Sequence, residues 1–268
     1  MSVRPLIVVG SLRSGTTLAG TLLGSAPGVA DLGEYPGYDF CYEVAPQVLA
    51  PMPTVTTDAY LAELRRHAHE FPKRWAEERT AGWFVTSAPQ NLRAAAQIQA
   101  NEPDAVFVLC KRDVRGVCQS LQRSYEGGRS WLGRDTRARL DLWCRYYSSA
   151  SSLPPRRTVV MDYDELCASP EAAYEMLCAD LARFGFPIDS IDRDPLTRSH
   201  ATDGERRPTS ARRGSDGAFL WQSRPAYDPG TWTPDDEATV ESHPEYGRVK
   251  QALDEFVRMV RAEAVATG

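Results

Sequence analysis

The stretch Leu6-Ile7-Val8-Val9-Gly10-Ser11-Leu12-Arg13-Ser14-Gly15-Thr16-Thr17 decides how this chain is read. Its four consecutive apolar residues, with no polar alternation, mark a strand covered on both faces. A glycine-bounded loop follows, and Thr16 to about Ser25 reads as a helix ended by Pro27-Gly28. Strand, loop and helix in this order, with glycines at 10 and 15, give the frame of a P-loop that binds the diphosphate-like part of a nucleotide. The amides of such a loop and the start of the following helix form a nest for phosphate oxygens. The usual pattern has Lys after the second glycine, to reach the β- and γ-phosphates; here that residue is Thr16. A kinase or GTPase would lose its main γ-phosphate cation by this change. Arg13 is the only cation inside the loop, and Met161-Asp162 is a poor imitation of a Mg²⁺-binding apolar run ending in Asp. The loop therefore suits a shorter phosphate group.

Outward from this loop, apolar runs alternate with helical spacing. Trp83–Val85 is a candidate short strand, Ala105–Cys110 a second buried strand and Thr158–Met161 a third. Helices are expected over much of 56–79, over Asn91–Ala100, from Asp113 as cap to about Tyr125, and over Arg137–Ser149. Another runs from Ser169-Pro170-Glu171 to Arg183, and the tail Glu245–Val265 is a closing helix. Buried strands separated by helices predict an α/β chain: a P-loop NTPase-like three-layer fold with a central, mainly parallel sheet. The 268 residues are read as a single domain. Residues 199–217, rich in Gly, Ser and Arg and without periodicity, read as a flexible basic loop or lid.

With 31 basic and 36 acidic residues the net charge is −5, which argues against a dedicated nucleic-acid binder. No stretch has the uninterrupted apolar length of a membrane span, and the apolar run near the N-terminus is too short for a signal-peptide core. The expected location is cytoplasmic. Six cysteines without CxxC spacing, several inside apolar patterns, read as buried free thiols. His67 and His69, two apart on a helix, face different directions and make a poor metal pair.

A second constellation lies around the 105–110 strand. Arg112 follows it, at the end where open α/β sheets bind ligands, and Ser120 stands eight residues on, about two helical turns along. A guanidinium there can grip a phosphate bidentately, with the hydroxyl adding a hydrogen bond.

Together these residues resemble the sulfotransferase superfamily that uses 3′-phosphoadenosine 5′-phosphosulfate (PAPS), in the style of its tyrosylprotein, Golgi-type and bacterial branch. Leu12-Arg13-Ser14-Gly15-Thr16-Thr17 matches the family's PRSGTT loop except for Leu12, and Arg112 to Ser120 matches its Arg-then-Ser motif. Val160 to Leu166, followed by Ser169-Pro170, is similar to the family's strand ending in Tyr-Glu-x-Leu, and the likeness spans about residues 4–185. The resemblance implies that Arg13, Ser14, Gly15, Thr16 and Thr17 hold the 5′-phosphosulfate. It implies that Arg112 and Ser120 hold the 3′-phosphate with Tyr163 nearby, and that the reaction yields 3′,5′-ADP without a required metal. Gly33-Glu34 stands where relatives carry a Gly-Glu pair, so Glu34 is implied as the general base, a role that a carboxylate suits if it is partly buried. Arg13 would also stabilise charge on the bridging oxygen as the sulfuryl group leaves.

One departure stands out. Relatives often place a Lys or His after the strand near residue 85, where this chain has Val85-Thr86-Ser87-Ala88-Pro89. The helper cation is then absent, replaced by hydroxyls, or supplied from elsewhere, with Arg212 or Arg213 as candidates over the cofactor. Residues 35–60 and 125–150 are aromatic-rich and lie where relatives build acceptor pockets, which suits a small-molecule, carbohydrate or natural-product hydroxyl. Two alternatives stay open: a P-loop kinase of a small metabolite, and a non-catalytic nucleotide-binding protein of the same fold.

Overall fold

The computed structural model describes residues 2–51, 57–129, 132–188, 191 and 227–267. Five strands form one sheet: β1 (Arg4–Gly10), β2 (Val29–Asp31), β3 (Trp83–Thr86), β4 (Val106–Lys111) and β5 (Thr158–Asp162). Their order is β2-β3-β1-β4-β5, and each neighbouring pair is parallel. The predicted strand at 6–9 is thus the middle of the sheet, and the apolar run has a direct cause. Leu6 and Val8 enter one core, with α1 (Thr16–Gly24) and α9 (Pro170–Ala182). Ile7 and Val9 enter the other, with α5 (Ala95–Asn101), α6 (Val114–Glu126), α7 (Thr136–Tyr147) and α11 (Tyr246–Thr267). The result is helices on both faces of a parallel sheet, the three-layer arrangement expected.

After β1 the chain turns toward β2 on one side, and after β4 it turns toward β5 on the other. A crevice therefore opens beyond the adjoining C-terminal ends of β1 and β4, where Gly10 is in register with Cys110. The Gly10–Thr17 loop leaves one of these ends and Arg112 the other.

Several boundaries differ from expectation. The predicted helix at 91–100 is split into a 3₁₀ turn, Pro89–Leu92, and α5. The reason is Asn91, whose buried amide donates to Tyr35 O at 2.9 Å and accepts from Asp39 N at 3.2 Å. Unpredicted elements are β2, α2 (Gly37–Asp39), the π-helical turn Phe40–Val44, α3 (Ala45–Leu49), α8 (Tyr163–Ala168) and α10 (Pro234–Glu241). The helix α4 (Thr57–Glu77) carries Pro72 inside it and lays Leu61 and Ala68 inward. Five of the six cysteines are buried, and all are free thiols. No helix among the described residues is long and apolar enough to cross a membrane.

α1 crosses unusually near to the end of β3. A β-carbon on Gly20 would stand 2.5 Å from Ser87 Cβ, so only glycine permits this approach.

Candidate active site

The phosphate loop is built by hydrogen bonds within itself and with the neighbouring strand end. Ser14 donates from N and Oγ to Ser11 O, at 3.2 and 2.7 Å. Arg13 has φ 65°, a left-handed conformation that costs a non-glycine residue energy and persists where the surrounding structure over-determines the backbone. Here the determinant is Arg112, whose Nη1 donates to Arg13 O at 2.8 Å. Gly15 has φ 100°, and a β-carbon on it would stand 2.7 Å from the Tyr163 ring. It precedes α1, whose first amides have no partner within the helix and are left for a ligand in the loop.

Arg112 is itself held on several sides. Its amide donates to Tyr147 Oη at 3.2 Å, its carbonyl accepts from Trp143 Nε1 at 3.2 Å, and Tyr147 Oη donates to Cys110 O at 2.7 Å. Its guanidinium lies 4.1 Å over the Tyr163 ring and is buried, which pushes its pKa down. This anchoring is not legible in the sequence, where the 137–149 helix shows only an apolar face with Trp143 and Tyr147 on it.

The two predicted constellations meet. Arg13 Nε donates to Ser120 Oγ at 3.1 Å, so loop, strand end and α6 close around one space. The Arg13 guanidinium is held below its usual range by partial desolvation and then by the charges of Arg129, Arg112 and Arg123. The charges of Arg112, Arg123 and Arg129 thus add to that of Arg13, a positive field that suits a multiply charged anion. Sequence reasoning misses Arg123 and Arg129. Arg123 stands three residues after Ser120 on the same helical face, an available signal; Arg129 follows the helix and offers none.

Glu34 reaches the other end of the loop. Thr17 Oγ1, in the first turn of α1, donates to Glu34 Oε1 at 3.4 Å. Glu34 is exposed, so the partial burial that would suit it to that role is not found. Its backbone is fixed on both sides: Ser87 N donates to Gly33 O at 2.9 Å, and Tyr35 N donates to Thr86 Oγ1 at 3.2 Å. This accounts for the residues at 86 and 87. Thr86 is spent on the 33–35 turn, at 3.2 Å from Gly33 O, and so positions that turn rather than replacing a cation beside the loop. Arg212 and Arg213 lie outside the described residues.

A cation does stand nearby. Arg93 pairs bidentately with buried Asp39, Nε to Oδ1 at 2.8 Å and Nη2 to Oδ2 at 2.7 Å. Tyr146, on α7, is desolvated and feels Arg93, Asp39 and Glu34 together, and its hydroxyl is pushed above its ordinary pKa. Arg93, Asp39 and Tyr146 do not stand out in the sequence as parts of a site.

A profile described as "Sulfotransferase family" matches residues 5–183, two-thirds of the chain and all five strands. The chain belongs to the sulfotransferase family. The sulfotransferase is similar in fold to the "Sulfotransferase Domain from the Curacin Biosynthetic Pathway", with TM-score 0.52 and 15% identity over 95% of this chain and 98% of that one. A sulfotransferase from Alicyclobacillus acidocaldarius aligns with TM-score 0.47 and 13% identity, covering 73% of this chain and 89% of that one. No curated protein matches the sequence.

Behind the site of this sulfotransferase, Asp164 accepts a hydrogen bond from Asp113 N at 2.6 Å. Burial, opposed by that bond but aided by the charges of Asp162 and Asp113, pushes the Asp164 carboxyl up to about 6. An acid with a raised folded pKa favours the fold in its neutral form. Its stabilising effect is therefore complete below about pH 4 and is lost as the pH climbs through about 6. Asp164→Asn is expected to flatten that decline, so the variant gains on the wild type above about pH 6. Urea unfolding at about pH 4 and about pH 7 measures it, and parallel curves for the two proteins would contradict it.

Proposed function

We propose that this sulfotransferase moves the sulfuryl group of PAPS to a hydroxyl of a small-molecule, carbohydrate or natural-product acceptor by in-line displacement. The Glu34 carboxylate takes the proton of the acceptor hydroxyl as its oxygen bonds to sulfur. The bond between sulfur and the bridging oxygen breaks, and its electron pair leaves on the 5′-phosphate of 3′,5′-ADP. Arg13, with the amides of Ser14, Gly15, Thr16 and Thr17, takes up the charge that develops on that phosphate. Arg112 and Ser120 hold the 3′-phosphate, with Arg123 and Arg129 adding to the field and Tyr163 forming the wall beneath Arg112.

The observation that supports this reading is the Arg13–Ser120 hydrogen bond, which joins the glycine loop to α6 where the charges of Arg112, Arg123 and Arg129 are also felt. A ligand with phosphate groups at both ends of a ribose fits this arrangement; a linear triphosphate leaves the Arg112 side unused. The turn holding Glu34 sits at the far end of the same loop, next to Tyr146 and the Arg93–Asp39 pair, which form the acceptor's side of the crevice. Equilibrium binding of 3′,5′-ADP and 5′-AMP tests the cofactor. A preference of at least ~10-fold for 3′,5′-ADP is expected from charge-assisted contacts to the extra phosphate. Equal affinity for the two nucleotides would overturn the reading.

A further inference from the structure

A second pocket stands apart from this crevice. It is an open cleft between α4, the π-helical turn Phe40–Val44 and the end of α5, with a volume of about 580 Å³, within the ordinary range for small-ligand sites. The residues on its wall that precede β4, Asn101 and Glu102, are at the opposite end of that strand from Arg112.

One side of the pocket is a hydrogen-bonded chain. Asn101 Nδ2 donates to Tyr42 Oη at 3.1 Å, Tyr42 Oη lies 2.9 Å from His69 Nε2, and His69 Nδ1 lies 3.1 Å from Glu102 Oε1. With Glu102 ionised the chain is self-consistent for a neutral imidazole: Nδ1–H donates to the carboxylate, and Nε2 accepts from the tyrosine. Burial raises the Glu102 carboxyl, but hydrogen bonds from His69 and Lys73 outweigh it and keep the group ionised. Tyr42 sits at the centre of the π-helical turn, a distortion of helix geometry that is frequent at functional sites.

The cations on the wall differ in how they are balanced. Lys73 Nζ is 2.7 Å from Glu102 Oε2, and Arg66 is held by both Glu63 and Glu70. Arg65 has no acidic partner among the described residues. Its guanidinium lies 5.3 Å over the Tyr42 ring, and its Nε is buried without a hydrogen-bond acceptor. Arg65 is thus a fixed positive charge on the pocket wall, without a carboxylate to balance it and packed on an aromatic ring that a hydrogen-bonded chain holds still.

We propose that this pocket is a second ligand site, in which Arg65 binds a small oxyanion, a carboxylate or a phosphate monoester, against the wall fixed by Tyr42, His69 and Glu102. Nothing in the transfer reaction requires it, so it stands or falls independently of the cofactor reading.

The test follows the His69 imidazole by ¹H–¹⁵N NMR, its signals identified with His69→Gln, during titration with acetate and, separately, inorganic phosphate at constant ionic strength set with chloride. A saturable shift with either anion is expected, with phosphate alone marking a phosphate site and acetate a carboxylate site. Arg65→Gln is expected to weaken that binding at least ~10-fold, as loss of a charge-assisted contact does, while Arg66→Gln, whose guanidinium already has two carboxylates, leaves it within about twofold. No saturable shift across the millimolar range with either anion, or equal binding by Arg65→Gln and wild type, would overturn the proposal. Far-UV circular dichroism and unchanged thermal unfolding of both arginine variants confirm that the comparison is between folded proteins.

Discussion

Glu34→Gln is expected to lower the rate of sulfuryl transfer about 10²- to 10⁴-fold while leaving the affinity for 3′,5′-ADP unchanged. Glutamine keeps the size of the side chain and can still accept from Thr17 Oγ1, but it cannot take a proton. The 33–35 turn is set by backbone bonds to Ser87 and Thr86, not by the Glu34 carboxylate, so the substitution has no reason to move the loop. The loss should therefore fall on kcat rather than on cofactor binding. Single-turnover transfer from PAPS, paired with calorimetry of 3′,5′-ADP binding, separates the two. An unchanged rate would remove Glu34 from the role of base, and detectable transfer by the wild type would exclude a protein that only binds nucleotides.

Arg112→Ala carries the second large effect, and it is an effect on selectivity. The guanidinium is buried, stacked on Tyr163 and hydrogen-bonded to Arg13 O. Removing a charge-assisted contact of this kind costs about 1.5–3 kcal/mol, or roughly 10- to 150-fold in affinity. The loss is expected for 3′,5′-ADP and much less for 5′-AMP, so the preference between them collapses. Ser120→Ala, which removes a neutral hydroxyl, should cost only about 0.5–1.5 kcal/mol. Because Arg112 also holds the left-handed Arg13, part of its effect will reach both nucleotides. The ratio, not either affinity, is the informative number. Arg112→Lys sharpens the comparison, since it keeps the charge but not the planar fork or the stacking. If Arg112→Ala left the ratio intact, the 3′-phosphate would have to be held elsewhere.

The parts of this molecule that are legible in its sequence share a physical cause. β1, β4 and β5 are apolar on both faces because helices cover both sides, and that is visible as an unbroken run. Asp113 can be read as a cap because its carboxylate does accept from the second amide of α6. β2 escapes such a reading because it is a three-residue edge strand, too short for any periodicity. α10 has a readable start in Thr233-Pro234-Asp235-Asp236, a capping box with Asp in place of the usual Glu. The interruption at Arg93-Ala94 is invisible, since it arises from the tertiary bonds of Asn91 and Arg93 to residues near 35–39. The same holds for the site. Glycine and arginine spacing points to the loop and to Arg112, but the clamp of Trp143 and Tyr147 on Arg112 comes from a helix some thirty residues further along the chain. From sequence those two aromatic residues look like ordinary core.

The close crossing at Gly20 joins things that the chain keeps far apart. α1 begins at the phosphate loop and rests on Ser87, and the Ser87 amide holds the turn that presents Glu34. The phosphate loop and the Glu34 turn are in this way mounted on a single joint, where the Ser87 side chain packs against the bare α1 backbone at Gly20. Their mutual alignment is therefore set by packing and hydrogen bonds within the scaffold itself. The Tyr146 and Arg93 side chains, on the side proposed for the acceptor, are not part of that joint. On the proposed reading, substitutions at these two positions would alter the choice of hydroxyl-bearing acceptor and leave the alignment of the loop with Glu34 in place.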